Sequence, residues 1–314
     1  MFQISSLLSL KGKVFLVTGG NTGIGYLTCL HLAGNGARVY LGARSEEKAT
    51  EAISKIKGTY PTANLHFLPI DHNSLKTVVA AAKTFVSKES QLHGLILNAG
   101  VAGLPYEVTG DGFEIHMQIN YIAHWLLAHH LMPVLLSTAR NEGPGSVRIV
   151  CVASNANNLF GTKKILYEVD EVKNAGNFNR YGLSKLANIL HAKNLNDKYG
   201  PESRNSKDGK GEIWSASLHP GFIDTQINRK ALHWSQKWVT NLLVLLGIMK
   251  PLGDGAVRAI IFAAASPDFT GEISGVFLSE RAEVDEPNPI ARDVKERQRL
   301  EGWTEEKMRS GGWI

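Results

Sequence analysis

A tyrosine and a lysine stand four residues apart, Tyr181 and Lys185, where an amphipathic stretch begins and continues as LANILHAKNL. A spacing of four places both side chains on one face of a helix. A free phenol, with a pKa of about 10, exchanges protons poorly near neutral pH, and a neighbouring ammonium lowers that pKa by favouring the phenolate. The pair predicts proton transfer at a substrate oxygen, although an ordinary solvated helix face explains the same spacing.

A serine closes one of the apolar runs of the chain. Ser154 directly follows Val147–Ala153, which has the composition of a buried strand. In a parallel sheet the carboxyl ends of the strands meet where ligands bind, so this hydroxyl is expected to face the same crevice as Tyr181. Hydrogen bonding to the substrate oxygen is the functional interpretation, and a turn or helix cap is the structural one.

Glycines lie between the first predicted strand, Lys13–Thr18, and the helical pattern Tyr26–Ala33, in the sequence TGGNTGIG. Glycines at a strand-to-helix turn let the backbone approach a pyrophosphate, and the start of the helix binds its negative charge. A purely structural turn is the alternative for glycines taken alone. The residues predicted to contact a dinucleotide here are Gly19, Asn21, Thr22, Gly23, Ile24 and Gly25.

An arginine, Arg44, ends the second predicted strand, and no acidic residue occurs before Glu46. Cofactors without a 2′-phosphate usually meet an acidic residue at this point, whereas a 2′-phosphate calls for a cation. A guanidinium binds phosphate through a fork of charge-assisted hydrogen bonds. The sequence therefore favours NADP(H), with an ordinary surface arginine as the alternative.

The elements that must position these residues alternate between short apolar runs and helical stretches. Runs such as VFLVT and VRIVCVA are continuously apolar, as expected when helices cover both faces of a parallel sheet. We predict a single α/β domain of the Rossmann type, a doubly wound parallel seven-stranded sheet with helices on both faces. The predicted strands are Lys13–Thr18, Ala37–Leu41, Leu65–Ile70, Gly94–Asn98, Val147–Ala153, Glu212–Leu218 and Gly275–Ser279.

Composition narrows the function classes. The 314 residues are 43% hydrophobic and 20% charged, and the net charge of +5 is dispersed, so no nucleic-acid partner is expected. Cys29 and Cys151 lie in apolar stretches without a ligand cluster, which argues against a disulfide framework, and no metal site is predicted.

The N-terminus lacks the positive region of a signal peptide, so a cytoplasmic location is expected. The apolar segment Trp238–Met249 is too short for the roughly 20 residues of a membrane-spanning helix. It remains open as a lid, a core helix or a peripheral membrane contact.

With these residues assembled, the chain resembles the classical short-chain dehydrogenase/reductase family from about Gly12 to Phe277. The resemblance rests on several motifs in the family's order. They are TGGNTGIG, LNAG, the asparagine within MQINYIAHWLL, the strand-ending Ser154, YGLSK and HPGFIDT.

The resemblance implies a catalytic tetrad of Asn120, Ser154, Tyr181 and Lys185. In the family scheme the lysine also bonds the nicotinamide ribose, and the asparagine holds a water that relays protons to solvent. Further implied cofactor contacts are Asn98, Ala99 and Gly100 along the cofactor, Asp71 near the adenine with His72 beside it, and Pro220, Gly221, Ile223 and Thr225 near the nicotinamide.

Within the family, the chain is most similar to the branch of retinol dehydrogenases, WW-domain oxidoreductases and protochlorophyllide reductases. Two features depart from the usual family pattern. Ser154 and Tyr181 lie 27 residues apart, more than the usual dozen or so, and LNAG replaces the commoner NNAG. The longer spacing inserts residues 155–177 beside the predicted site.

The resemblance implies an NADPH-dependent enzyme that reduces a hydrophobic or ring-containing carbonyl to an alcohol, or catalyses the reverse reaction. A retinol- or steroid-type alcohol dehydrogenase is the alternative, and a non-catalytic NADP-sensing protein is the alternative of another class. We expect a lead at residues 1–11, a catalytic domain at 12–280 with a substrate-covering segment near 222–251, and a C-terminal tail at 281–314. A homodimer also stays open.

Overall fold

A computed structural model describes residues 2–159, 165–223 and 250–314 of the chain. One sheet runs through these residues with the strand order β3-β2-β1-β4-β5-β6-β7-β8. The strands are β1 Val14–Thr18, β2 Arg38–Ala43, β3 Asn64–Pro69, β4 Gly94–Leu97, β5 Arg148–Val152, β6 Trp214–Leu218, β7 Phe277–Leu278 and β8 Val284–Asp285. The α/β prediction is confirmed, with one correction to the strand number.

That correction concerns the sheet edge beyond β7. The prediction of seven strands was one short, because β8 adds two residues that pair antiparallel with β7. So short a strand has no periodicity of its own in the sequence. The pairings from β3 through to β7 are parallel, as predicted.

Parallel pairing gathers the carboxyl ends of seven strands, β1 to β7, at one edge of the sheet. The strand order changes direction at β1, which pairs with β2 on one side and with β4 on the other. Such a switch point opens a crevice beside the strand ends, which is where open α/β sheets bind ligands.

Helices cover both faces of the sheet. They are α1 Gly23–Gly34, α2 Glu46–Thr59, α3 Leu75–Lys88, α4 Ala123–Glu142, α5 Asn177–Tyr199, α6 Asp254–Ala265 and α7 Val294–Ser310. Alternate residues of β1 enter two apolar cores: Leu16 joins the one that includes α3, α4, α5 and α7, while Val17 joins the one that includes α1, α2 and α6. Neither face of the strand meets water, which explains the continuous apolar run VFLVT.

The C-terminal tail forms helix α7, which packs against the body of the domain. Leu300 and Met308 are fully buried, and the indole N–H of Trp303 donates to Glu168 (2.7 Å). This tail therefore belongs to the apolar core on the side of α5.

The segment Trp238–Met249 lies outside the described residues, so its predicted role as lid, core helix or membrane contact stays a prediction. Among the helices that the structure does describe, none combines the length and apolar content needed to cross a bilayer.

Candidate active site

The glycine-rich turn joins β1 to α1 with a closely packed backbone. Gly19 has φ of +65°, a conformation that L-residues with a side chain rarely adopt. A Cβ atom added to Gly25 would lie 2.2 Å from the carbonyl oxygen of Gly19, so only glycine fits there. Thr22 precedes α1 without a side-chain cap, and the first turn of the helix has no acidic residue. This helix starts just after the carboxyl end of β1, and the N–H groups of its first turn carry the partial positive charge that suits an anion.

Arg44 lies at the neighbouring strand end. Thr18 pairs with Gly42 across β1 and β2, and the N–H of Gly20 donates to the Gly42 carbonyl (3.1 Å). Arg44 follows two residues later, is exposed, and has no ion-pair partner within the described part of the chain. A free guanidinium therefore stands beside the glycine turn.

The end of β3 brings Asp71 and His72 toward the same edge. One carboxylate oxygen of Asp71 accepts the N–H of Asn73 (3.0 Å), which fixes it in a local turn. His72 is buried, and its ring packs edge-on against His124 at 4.6 Å between ring centroids. Burial lowers the pKa of His72 to about 4. The imidazole of His72 is therefore neutral.

The hydroxyl of Thr18 organises the LNAG segment. Its Oγ1 accepts the N–H groups of Asn98 (2.8 Å) and Ala99 (3.0 Å), and lies 2.8 Å from Nε2 of His124. The other ring nitrogen of His124 lies 2.9 Å from the carbonyl oxygen of Asn120. A carbonyl only accepts, so Nδ1 carries the proton and Nε2 accepts the hydroxyl proton of Thr18.

His124 thus forms a bridge between Thr18, at the start of the glycine turn, and Asn120. This bridge was not predicted from the sequence. His124 is buried, and burial lowers its pKa well below the ordinary value, which agrees with the neutral form. The spacing of four between Asn120 and His124 on a helical pattern was the signal available, but Thr18 is more than a hundred residues away in sequence.

Asn120 sits in a π-helical segment, Gln118–Ile122, that leads into α4. Segments of this kind are rare and occur often at functional sites. The side-chain amide accepts the N–H of Val101 (2.8 Å) and donates to the hydroxyl of Ser184 (2.8 Å). Asn120 is thereby fixed between the loop after β4 and helix α5. A Cβ added to Gly100 would lie 3.0 Å from its Oδ1 and 3.4 Å from Nζ of Lys185.

The first turns of α5 carry Tyr181 and Lys185. The Lys185 ammonium donates to the carbonyl of Val152 at the end of β5 (2.8 Å) and lies 5.9 Å from the centroid of the Tyr181 ring. Burial lowers the pKa of Lys185 to about 8. The structure thus brings both residues to the strand end that Ser154 follows.

The direction of the pKa shift at Tyr181 differs from the sequence expectation. Burial raises the pKa of the Tyr181 phenol, and hydrogen bonding with the Ser154 side chain partly offsets that rise. Lys185 was expected to lower this pKa, but its ammonium is engaged by a backbone carbonyl and stands beyond hydrogen-bond distance of the ring. The resting side chain is therefore the protonated phenol.

The last predicted cofactor contacts follow β6. Pro220 and Gly221 come directly after the buried His219, and the N–H of Gly221 donates to Nδ1 of that histidine (3.3 Å). Ile223 is buried and pairs with Lys250 in a short bridge. Thr225 lies outside the described residues, so its contact with the cofactor stays a prediction. Within the described ranges, no group of three or more His, Cys, Asp or Glu could hold a metal ion.

Comparison with known proteins identifies the family of the chain. Residues 13–168 match the family profile described as short chain dehydrogenase. The short-chain dehydrogenase/reductase drtF of Aspergillus calidoustus is 47% identical over 97% of this chain and 96% of its own length. Human retinol dehydrogenase 11 is 37% identical over 74% of this chain and 68% of its own length.

Solved structures share the fold at lower identity. A short chain dehydrogenase from Shigella flexneri, complexed with NADP, superposes with a TM-score of 0.62 at 21% identity, covering 88% of this chain and 98% of that one. A protein from Mycobacterium paratuberculosis reaches 0.69 at 22% identity, over 98% and 97% of the two chains. The chain therefore belongs to the short-chain dehydrogenase/reductase family of nicotinamide-dependent oxidoreductases, which act on CH–OH and C=O groups.

Proposed function

We propose that this protein is an NADPH-dependent reductase of hydrophobic carbonyl compounds, with Tyr181 as the proton donor. The observation that carries the proposal is the convergence, at one sheet edge, of the glycine turn, the half-buried Tyr181, the buried Lys185 and Asn120. A protein that only sensed the cofactor would have no need of a buried ammonium close to a phenol, since burying a charged group is costly.

The residues at this edge fit a dinucleotide. The backbone at Gly25 leaves no room for a side chain, and the positive φ of Gly19 disfavours one there, which fits a cradle for the pyrophosphate at the start of α1. When bound, the reduced nicotinamide supplies the hydride. We propose further contacts with the cofactor from Asn21, Thr22, Gly23, Ile24, Asp71, His72, Asn98, Ala99, Gly100, Pro220, Gly221, Ile223 and Thr225.

Tyr181 is the proposed donor of the proton to the substrate oxygen. As a carbonyl carbon gains hydride, its oxygen gains negative charge and needs a proton. Burial raises the pKa of Tyr181, so the phenol holds its proton until that charge develops. The Ser154 hydroxyl would hydrogen-bond the same oxygen and orient it.

Lys185 and Asn120 complete the proposed tetrad. A Cβ at Gly100 would meet both of them, so their polar ends lie close together beside the backbone of Gly100. We propose that Lys185 bonds the nicotinamide ribose and that Asn120 holds a water through which the proton lost by Tyr181 is replaced from solvent.

The position of Arg44 supports a preference for NADPH over NADH. Its exposed guanidinium stands two residues beyond Gly42, which bonds the glycine turn. A bidentate guanidinium–phosphate contact discriminates for the 2′-phosphate, while NADH offers only ribose hydroxyls at that point.

Apolar side chains near the strand ends support a hydrophobic substrate. Phe178 lies one helical turn before Tyr181 and Phe222 follows β6, with 39% and 46% of their surface exposed. Pockets for small molecules are lined mostly by such groups. The similarity to human retinol dehydrogenase 11 makes a retinoid or steroid alcohol the second candidate for the substrate class.

The test is an assay of NADPH oxidation against aromatic, polycyclic, retinoid and aliphatic carbonyls, with NADH in parallel. We expect NADPH oxidation with at least one apolar carbonyl and much weaker activity with NADH. Equal or better activity with NADH would contradict the cofactor proposal. Preference for small polar carbonyls would contradict the substrate proposal.

A further inference from the structure

A cluster of charged side chains is almost fully buried beside Tyr181. Glu114 and Arg180 are 2% and 3% exposed, and His116 is fully buried. Nε of Arg180 lies 3.3 Å from Oε1 of Glu114, and Nδ1 of His116 lies 2.7 Å from the same oxygen. Charged groups are rarely buried to this extent without a partner, and removing one partner leaves the other at a high energetic cost.

The proton positions in this cluster follow from its hydrogen bonds. The N–H of Leu104 donates to Nε2 of His116 (3.2 Å), so that nitrogen carries no proton. Nδ1 must then carry the proton, which it donates to Glu114. His116 is therefore neutral, and the cluster holds one negative charge on Glu114 and one positive charge on Arg180.

Glu114 acts on the segment that carries Asn120. Its second oxygen, Oε2, accepts the N–H of Met117 (3.0 Å). Glu114 thus caps the short helical turn Ile115–Met117, which runs directly into the π-helical segment. A shift of this carboxylate would move the start of the segment that carries Asn120.

Arg180 acts on the turn that carries Tyr181. Its guanidinium donates to Oδ1 of Asn177 (2.7 Å) and to the carbonyl of Leu104 (3.4 Å), and it lies over the ring of Tyr106 at 5.6 Å. These contacts fix the first turn of α5 against the loop that follows β4. Tyr181 is the next residue in the chain.

We propose that Glu114 and Arg180 are positioning residues for the reaction proposed above. Their ion pair ties the first turn of α5, which carries Tyr181, to the start of the segment that carries Asn120, and the two charges cancel close to that turn. The inference rests on the proposed role of Tyr181 as the proton donor, and it adds two residues that act through Tyr181 and Asn120.

The polar groups nearest to Tyr181 come from three parts of the fold. From its own helix Lys185 lies 5.9 Å from the ring, from the end of β5 Ser154 contributes a hydroxyl, and His116 contributes a neutral ring at 6.4 Å between centroids. Glu114→Gln would leave the positive charge of Arg180 uncompensated. A nearby uncompensated cation favours phenolate, so the pKa of Tyr181 should fall by about one unit.

The experiment is an NMR titration of isotope-labelled tyrosine, with the Tyr181 signal assigned by its loss in Tyr181→Phe. In Glu114→Gln the Tyr181 midpoint should fall by about one pH unit. In the double variant Glu114→Gln/Arg180→Met it should return toward the wild-type value. The matched control is Glu51→Gln, which breaks the exposed pair Glu51–Lys55 (2.6 Å) and should leave the midpoint unchanged.

An unshifted Tyr181 midpoint in Glu114→Gln would overturn the proposal, whether or not a substrate has been found, because the titration needs no turnover. If that variant does not fold, Arg180→Lys keeps the charge and loses the guanidinium fork. It should lower kcat about tenfold, with the pH profile and the KM for NADPH unchanged. An unchanged kcat in Arg180→Lys would overturn the proposal equally.

Discussion

The two halves of the candidate site are built in different ways. At the cofactor half, the turn from β1 to α1 is short in sequence, and its shape depends on backbone packed where a Cβ would not fit. At the catalytic half, Asn120 and Tyr181 come from separate segments that the buried pair of Glu114 and Arg180 joins. Thr18 and His124 link Asn120 in turn to the end of β1. The first half should be sensitive to added volume, and the second to lost charge and lost hydrogen bonds.

Among the changes that compare the two halves, the largest effect is expected from adding volume to the glycine turn. Gly25→Ala places a methyl group where the nearest atom, the carbonyl oxygen of Gly19, is 2.2 Å away. Such a contact forces the turn open, so the Kd for NADPH should rise on the order of 100-fold, measured by fluorescence titration.

The matched control is Gly58→Ala, in a helix where an added Cβ meets nothing within 4 Å. It should bind NADPH as the wild type does. Equal binding by Gly25→Ala would mean that the turn does not hold the pyrophosphate.

An intermediate effect is expected at the edge of the cofactor half. Arg44→Asp replaces the proposed phosphate partner with a carboxylate, which should raise the Kd for NADPH on the order of 30-fold and change that for NADH only slightly. Arg204→Asp makes the same change in net charge at a residue 94% exposed at its side chain, and should affect neither cofactor. If Arg44→Asp kept the wild-type preference for NADPH over NADH, Arg44 would not be the residue that binds the 2′-phosphate.

A smaller effect is expected from the hydrogen bonds of the catalytic half. Thr18→Val leaves the N–H groups of Asn98 and Ala99 without their acceptor and His124 without its donor. Unsatisfied buried groups cost about 1–3 kcal/mol each, so kcat/KM should fall about tenfold.

Thr18→Ser keeps the hydroxyl and should retain most of the wild-type kcat/KM. If Thr18→Val and Thr18→Ser were equally active, the bridge through His124 would have no part in positioning Asn120.

The difference between the cofactor half and the catalytic half also explains which parts of the fold and the site could be predicted from the sequence. The glycine turn and the strand-and-helix order depend on local patterns, and the structure confirms the fold class. Glu114 and Arg180 lie 66 positions apart, and no local pattern indicates that they meet. The pKa direction of Tyr181 was predicted incorrectly, because spacing shows that Lys185 shares its helix face but not how deeply the phenol is buried.

The central claim is that Tyr181 donates the proton while the rest of the site binds and orients. Tyr181→Phe removes one hydroxyl and leaves the ring in place. In a single-turnover reaction with NADPH and a carbonyl reduced by the wild type, we predict an unchanged Kd for NADPH and a rate of hydride transfer lower by at least about 100-fold. Hydride transfer at a rate near that of the wild type would contradict the account.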